Sequence, residues 1–150
     1  MDRTIKHIFT FDQKPEVVWD YLTKPELLEL WLMPSNFKPV VGEKFEFKTK
    51  AIPRFGFDGN IYCKVTEIIP FEKLSYTWRG GNPKETNKLD SVVVWTLTAK
   101  DGGTVLVLEH KGFKGLKNFF SYLVMNKGWL KIGKRLTKKL NETIYDESKI

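Results

Sequence analysis

The chain has 150 residues, 25 basic and 18 acidic, which gives a formal charge of +7 and a pI near 9.4. A chain of this length can bury about two thirds of its unfolded surface in one core without staples, and its charge favours an anionic partner while leaving the fold open. A lone cysteine, Cys63, excludes an internal disulfide, no apolar run nears the roughly 18 residues of a spanning helix, and MDRTIKHIF lacks a signal-like apolar core, so a single cytoplasmic domain over residues 1–150 is expected.

TIKHIFTF alternates, with Ile5, His7, Phe9 and Phe11 on one face, the period of a half-buried strand. From Pro15 the pattern turns helical: proline suits a first turn, and Val18 and Leu22 stand i, i+4. Thr23 followed by Glu26 has the form of a capping box, which predicts a second short helix from about Lys24 to Trp31. Alternation resumes in GEKFEFKTK, where Phe45 and Phe47 share a face, and in GNIYCKVTEI, where Ile61, Cys63 and Val65 do. LSYTW adds Leu74, Tyr76 and Trp78, and SVVVWTLTA aligns Val93, Trp95 and Leu97. The turn Asp101–Gly103 supplies the positive φ angles of a tight hairpin and leads into TVLVLEH, with Leu106, Leu108 and His110 on one side. Strands in series joined by short turns predict an antiparallel sheet.

After Gly112 the pattern is helical to about Tyr145. Trp129, Ile132, Leu136 and Leu140 fall on one side, and Lys127, Lys131, Lys134, Arg135 and Lys138 on the other. Leu116, Phe119, Phe120 and Leu123 centre on a different angle, so a kink or break is expected near Asn126–Gly128. The apolar side should close onto the sheet. The basic side reads as a solvated face on which an anionic head group or an acidic protein could dock, and no motif for sequence-specific reading of nucleic acid accompanies it.

One strand, two short helices, a run of strands and a long last helix make the helix-grip order. PEVVWDYLTKPELLELWL, VVGEKFEF, GNIYCKVTEIIPFEKLSYTW, GTVLVLEHKGF and GWLKIGKRL resemble successive blocks of the family named for the activator of heat-shock-protein-ninety ATPase, within the START-like, or SRPBCC, superfamily. The resemblance runs from about Ile5 to Leu140. It implies an α+β helix-grip domain, in which a curved antiparallel sheet of about six strands wraps a long C-terminal helix. It also implies a cavity between sheet and helix of the kind relatives use for lipids, hormones or polyketides. Some relatives are cyclases or hydrolases. Two departures stand out. The co-chaperone that names the family has a separate N-terminal domain for which 150 residues leave no room, which weighs against activation of that chaperone. Residues Lys114–Met125 are longer and more aromatic than the family pattern leads one to expect, as a lid over the cavity mouth would be.

Chemistry has few candidates. Two histidines and one cysteine do not make a usual zinc site, so no metal is expected. Walker spacing and a G-x-S-x-G elbow are both absent from the sequence, and no cofactor is expected. Glu109 and Asp58 fall on the polar sides of their strands, as solvated carboxylates do. On a gripped sheet the concave face is core and cavity wall at once, so the resemblance implies a ligand wall built from Trp31, Phe47, Ile61, Cys63, Trp78, Val93, Trp95, Leu108, His110, Phe113, Trp129 and Gly133. Cys63, between Ile61 and Val65, reads as a small inert hydrophobe. Strand parity sends His7 and His110 inward, where each is either an acid, base or ligand contact, or a buried group paired with a backbone carbonyl. His110 is the weak catalytic candidate. Gly128 and Gly133 flank Trp129 and either let helix and sheet approach closely or leave room for a ligand. The expected function is binding of a small hydrophobic or amphipathic molecule by a monomer or dimer. A cyclase- or hydrolase-like enzyme in the same cavity and a chaperone-docking module are the alternatives.

Overall fold

The computed structural model describes residues 2–51, 59–80, 89–114 and 117–148, with residues 2, 89, 117–121 and 143–148 described by backbone alone. The alternating segments form β1 (Asp2–Phe11), β2 (Lys44–Lys48), β3 (Asn60–Ile69), β4 (Lys73–Gly80), β5 (Leu89–Lys100) and β6 (Gly103–Lys114). The helices are α1 (Pro15–Thr23), α2 (Pro25–Trp31) and α3 (Lys117–Ser148). All six strands join one antiparallel sheet in the order β1-β6-β5-β4-β3-β2. Asp101 (φ 51°) and Gly102 (φ 82°) make the two-residue turn between β5 and β6, with Lys100 paired to Gly103. Two successive positive φ angles match the strand twist, which is why an Asp-Gly pair closes this hairpin.

Every strand turns one side chain in two toward the same face, and α3 lies across that face. Its inward stripe is Trp129, Leu136 and Leu140, fully buried, with Tyr122, Met125 and Ile132 packed beside them. Gly133 marks a close approach, where a Cβ would overlap the Phe9 ring of β1, so the first of the two readings of that glycine describes its place. Between β1 and α1, Gln13 Nε2 donates to Leu140 O at 2.8 Å, and Thr104 Oγ1 donates to Gln13 O at 2.7 Å. A single residue thus ties a strand connection to both helix and sheet. The whole is the α+β helix-grip architecture.

Three sequence expectations are corrected here. α3 is one helix from Lys117 to Ser148 with no break near Asn126–Gly128. Its inward stripe runs unbroken from Tyr122 to Leu140, because Leu123 and Val124 face out. Leu116 and the side chains of Phe119 and Phe120, which suggested the break, lie outside the described residues, as does Asp58. Residues 117–125 are the first turns of α3 rather than a separate lid. The capping box does not form either: Lys24 is the N-cap of α2 without a side-chain cap, and the Thr23 hydroxyl instead donates to Trp19 O at 2.8 Å. Pro25 at the first helical position starts α2 instead, since its missing N–H would have gone unpaired there anyway.

Leu136→Ala is expected to destabilise the protein by about 2–5 kcal/mol, as large-to-small changes at fully buried sites do, while Lys138→Ala on the exposed side changes little. Urea melts of the two variants check this, and equal small effects would put α3 outside the core.

Candidate functional site

The seam between sheet and helix is lined with rings contributed by separate elements. Trp129 from α3 sits between Trp78 of β4, at 5.3 Å between ring centroids, and Trp95 of β5, at 5.6 Å. Trp31 at the end of α2 meets Trp95 edge-on at 5.9 Å, and its indole N–H donates to Tyr21 O at 2.9 Å. Phe47 of β2 lies 5.5 Å from Trp78. Phe113 of β6 is 4.7 Å from His110 and 5.8 Å from Tyr122. Most of these pairs are tilted or edge-to-face, the arrangements that the ring quadrupole favours.

Phe113 owes its place to Gly112. The β1–β6 register pairs Thr4 with Lys111 and Arg3 with Phe113, so Gly112 is the extra residue of a bulge, at φ 109°. Without the bulge, strand parity would turn Phe113 outward with Lys111. The positive φ suits glycine and resets the alternation, bringing Phe113 onto the same face as His110.

His110 is the polar centre of the seam, and its hydrogen bonds fix its state. Trp129 Nε1 can only donate, and it lies 3.0 Å from His110 Nδ1, so Nδ1 is the acceptor. The proton therefore sits on Nε2, which donates to Ser91 Oγ at 2.8 Å, and Ser91 Oγ donates onward to Trp78 O at 2.8 Å. All three side chains are buried, and burial pushes the His110 pKa down to about 3. The ring is neutral at working pH. A Ser–His pair at this distance has the outline of a nucleophile and base, but its polarity runs the other way: His110 offers Ser91 a donor, and the nitrogen that could take a proton is held by Trp129.

All twelve positions expected to form the wall are buried. Val93 pairs with both His110 and Tyr76, Leu108 with Trp95, Phe47 with Ile61 and Phe45 with Cys63. The Cys63 thiol points back to Ile61 O at 3.8 Å, and burial pushes its pKa up, away from the reactive thiolate. His7 faces α3, where Nε2 lies 3.3 Å from Asn126 O. Sequence reasoning placed Tyr76 beside Trp78 without counting it in the wall, where it accepts a hydrogen bond from Trp95 Nε1 at 2.9 Å, and it did not count Ser91 either. Both were findable, since they share strand parity with Trp78 and Val93. Phe37, which meets Phe45 at 4.8 Å, lies in a segment without periodicity and had no such signal. Two depressions open on the outside, one of about 610 Å³ beside Pro15, Phe71 and Thr98 and one of about 490 Å³ beside Lys134, Lys138 and Asn141, and none of the twelve residues lines either. Among the described residues no three of His, Cys, Asp and Glu converge as metal ligands.

The depressed pKa of His110 makes stability depend on pH. The unfolded chain takes up a proton near pH 6.5, whereas the folded one does so only near pH 3, so this contribution is complete above about pH 6.5 and is lost as pH falls toward 3. The expected loss between pH 8 and pH 5 is about 2 kcal/mol. In denaturant melts across that range His110→Gln should start less stable and lack this part of the slope; parallel curves would remove burial as the cause.

The family model described as "Activator of Hsp90 ATPase homolog 1-like protein" matches residues 12–141. Among solved structures the chain is similar to protein MLL2253 from Mesorhizobium loti, at 34% identity and a TM-score of 0.83 over 94% of this chain and 98% of that one. It is also similar to protein BH1534 from Bacillus halodurans, at 25% identity and 0.71, over 91% and 95%. A third, more distant structure shares the fold: the Aha1 dimer from Colwellia psychrerythraea, at 19% identity and a TM-score of 0.73, over 92% and 96%. No curated protein matches the sequence. No helix among the described residues is long and apolar enough to cross a membrane. With a family model spanning most of its length and a relative this similar along nearly all of both chains, the chain belongs to the Activator of Hsp90 ATPase homolog 1-like family.

Proposed function

We propose that the protein, acting as a single cytoplasmic domain, binds one small hydrophobic or amphipathic molecule, lipid- or polyketide-like, between the concave sheet and α3. The observation that carries this reading is the make-up of the seam. Its wall is a continuous set of aromatic and aliphatic side chains drawn from α2, α3 and five strands, and the few polar groups among them are tied to one another: both His110 nitrogens are engaged by Trp129 and Ser91, and the Tyr76 hydroxyl accepts from Trp95. A reacting site needs several polar groups converging on one point, with a lone pair free to take a proton, whereas a carrier needs one orienting contact or none. This weighs against a cyclase- or hydrolase-like reaction based on His110.

The rings touch one another, so a ligand enters by parting them. Each such ring pair contributes about 0.5–1.5 kcal/mol beyond its area, and each buried methylene of a ligand returns about 0.8 kcal/mol. A chain of eight to ten carbons, returning about 6–8 kcal/mol, therefore outweighs even four parted contacts at the upper end of that range.

Titration with the neutral probes Nile red and 1-decanol is expected to give a stoichiometry near one and a shift in tryptophan emission. Val93→Trp should block binding by filling the seam, and Lys131→Ala should leave it intact. His110→Ala should cost about 0.5–1.5 kcal/mol of affinity, the worth of one hydrogen bond. If neither probe binds the folded protein and Val93→Trp lowers the melting temperature, as overpacking a filled core does, the seam is closed core and the carrier reading falls.

A further inference from the structure

The charge of the molecule is not spread over it. Nine of the 25 basic residues and none of the 18 acidic ones lie between Lys111 and Asn141, so the remaining sequence holds 16 basic against 18 acidic residues. The positive excess belongs to the end of β6 and to the part of α3 up to Asn141. On the solvent side of α3 two adjoining rows run along the helix. One is Leu123, Lys127, Leu130, Lys134 and Lys138; the other is Val124, Lys131 and Arg135. The five basic side chains are exposed, and among the described residues none has an ion-pair partner, in contrast to Lys139 at the margin, 3.4 Å from Glu142. Leu123, Val124 and Leu130 stand 44%, 54% and 45% exposed in the same rows.

The inward stripe of this helix is already used by the core, and the outer apolar residues are left about half exposed. Cations and apolar side chains are interspersed along the outer side of one helix. A protein interface would gather the apolar residues at a centre and ring them with polar ones, and a nucleic-acid surface would set phosphates against Leu123, Val124 and Leu130. A bilayer interface suits the mixture, because flexible lysines reach head-group phosphates while leucine and valine enter the acyl boundary between them. We propose that the outer face of α3 docks the folded protein onto an anionic lipid surface, with the helix lying along it. The residues involved point away from the seam, so this holds whether or not the seam takes a ligand.

Co-sedimentation with sucrose-loaded vesicles tests it, using phosphatidylcholine alone and a 70:30 mixture with phosphatidylglycerol. Binding is expected to the anionic vesicles only and to weaken as salt rises. Removing three charges together, Lys131→Gln, Lys134→Gln and Lys138→Gln, should lower partitioning about a hundredfold, at about fivefold per charge. The control triple Lys44→Gln, Lys64→Gln and Lys100→Gln removes the same charge from exposed sites elsewhere and should change it little, with circular-dichroism melts confirming that both variants fold. Leu123→Ser with Leu130→Ser should also weaken binding to the anionic vesicles. Equal binding to both vesicle types, or equal losses in the two triple variants, would overturn the proposal. Full retention of binding in the leucine pair would do so too, and would point to a purely polyanionic partner such as an acidic protein or nucleic acid.

Discussion

The burial of Trp129 is the constraint on which the rest of the structure depends. An indole is the largest side chain the helix could press into the sheet, and it carries one donor that must be answered once water is excluded. Its ring fills the space between Trp78 and Trp95, and its N–H finds His110 Nδ1. That one bond then dictates the rest of the polar chain through Ser91 to the Trp78 carbonyl. Losing any link would strand a buried donor or acceptor, at a cost of about 1–3 kcal/mol.

The same constraint governs chemistry. A histidine held neutral by burial, with its free lone pair spent on an indole, is a fixed strut. It orients the helix against the sheet instead of shuttling protons. The family relationship supplies the architecture, and within it this chain has put His110 in the service of packing. A ligand taken into the seam would meet aromatic faces and methyl groups, with shape as the principle of selection.

α3 serves two faces with different physics. Its inner stripe, from Tyr122 to Leu140, is bound to the sheet and cannot leave without dismantling the core. Its outer face combines exposed cations with exposed leucine and valine. Because the inner stripe is anchored, the outer face is presented as a rigid surface, and any partner it meets gains no advantage from refolding the helix.

Much of the fold was legible in the sequence because the determinants are local. The two-residue period of a strand placed Ile5, Phe45, Cys63, Trp78, Trp95 and Leu108 on the inner face, since side-chain direction in a strand follows from backbone pleating alone. The Asp101–Gly102 turn and the inner stripe of α3 at Trp129, Ile132, Leu136 and Leu140 were readable for the same reason. Helix continuity was misread at Asn126–Gly128, because an amphipathic pattern cannot say whether a second apolar side is a new inner face or an exposed one. Only the tertiary structure decided that Leu123 and Val124 point outward, that Gly112 bulges and turns Phe113 inward, and that Thr23 bonds back into its own helix. Above all it decided the state of His110. Trp129 and Ser91 each lie 19 residues from it in sequence, and a proton's position is set by which donors and acceptors meet in space, which no local pattern encodes.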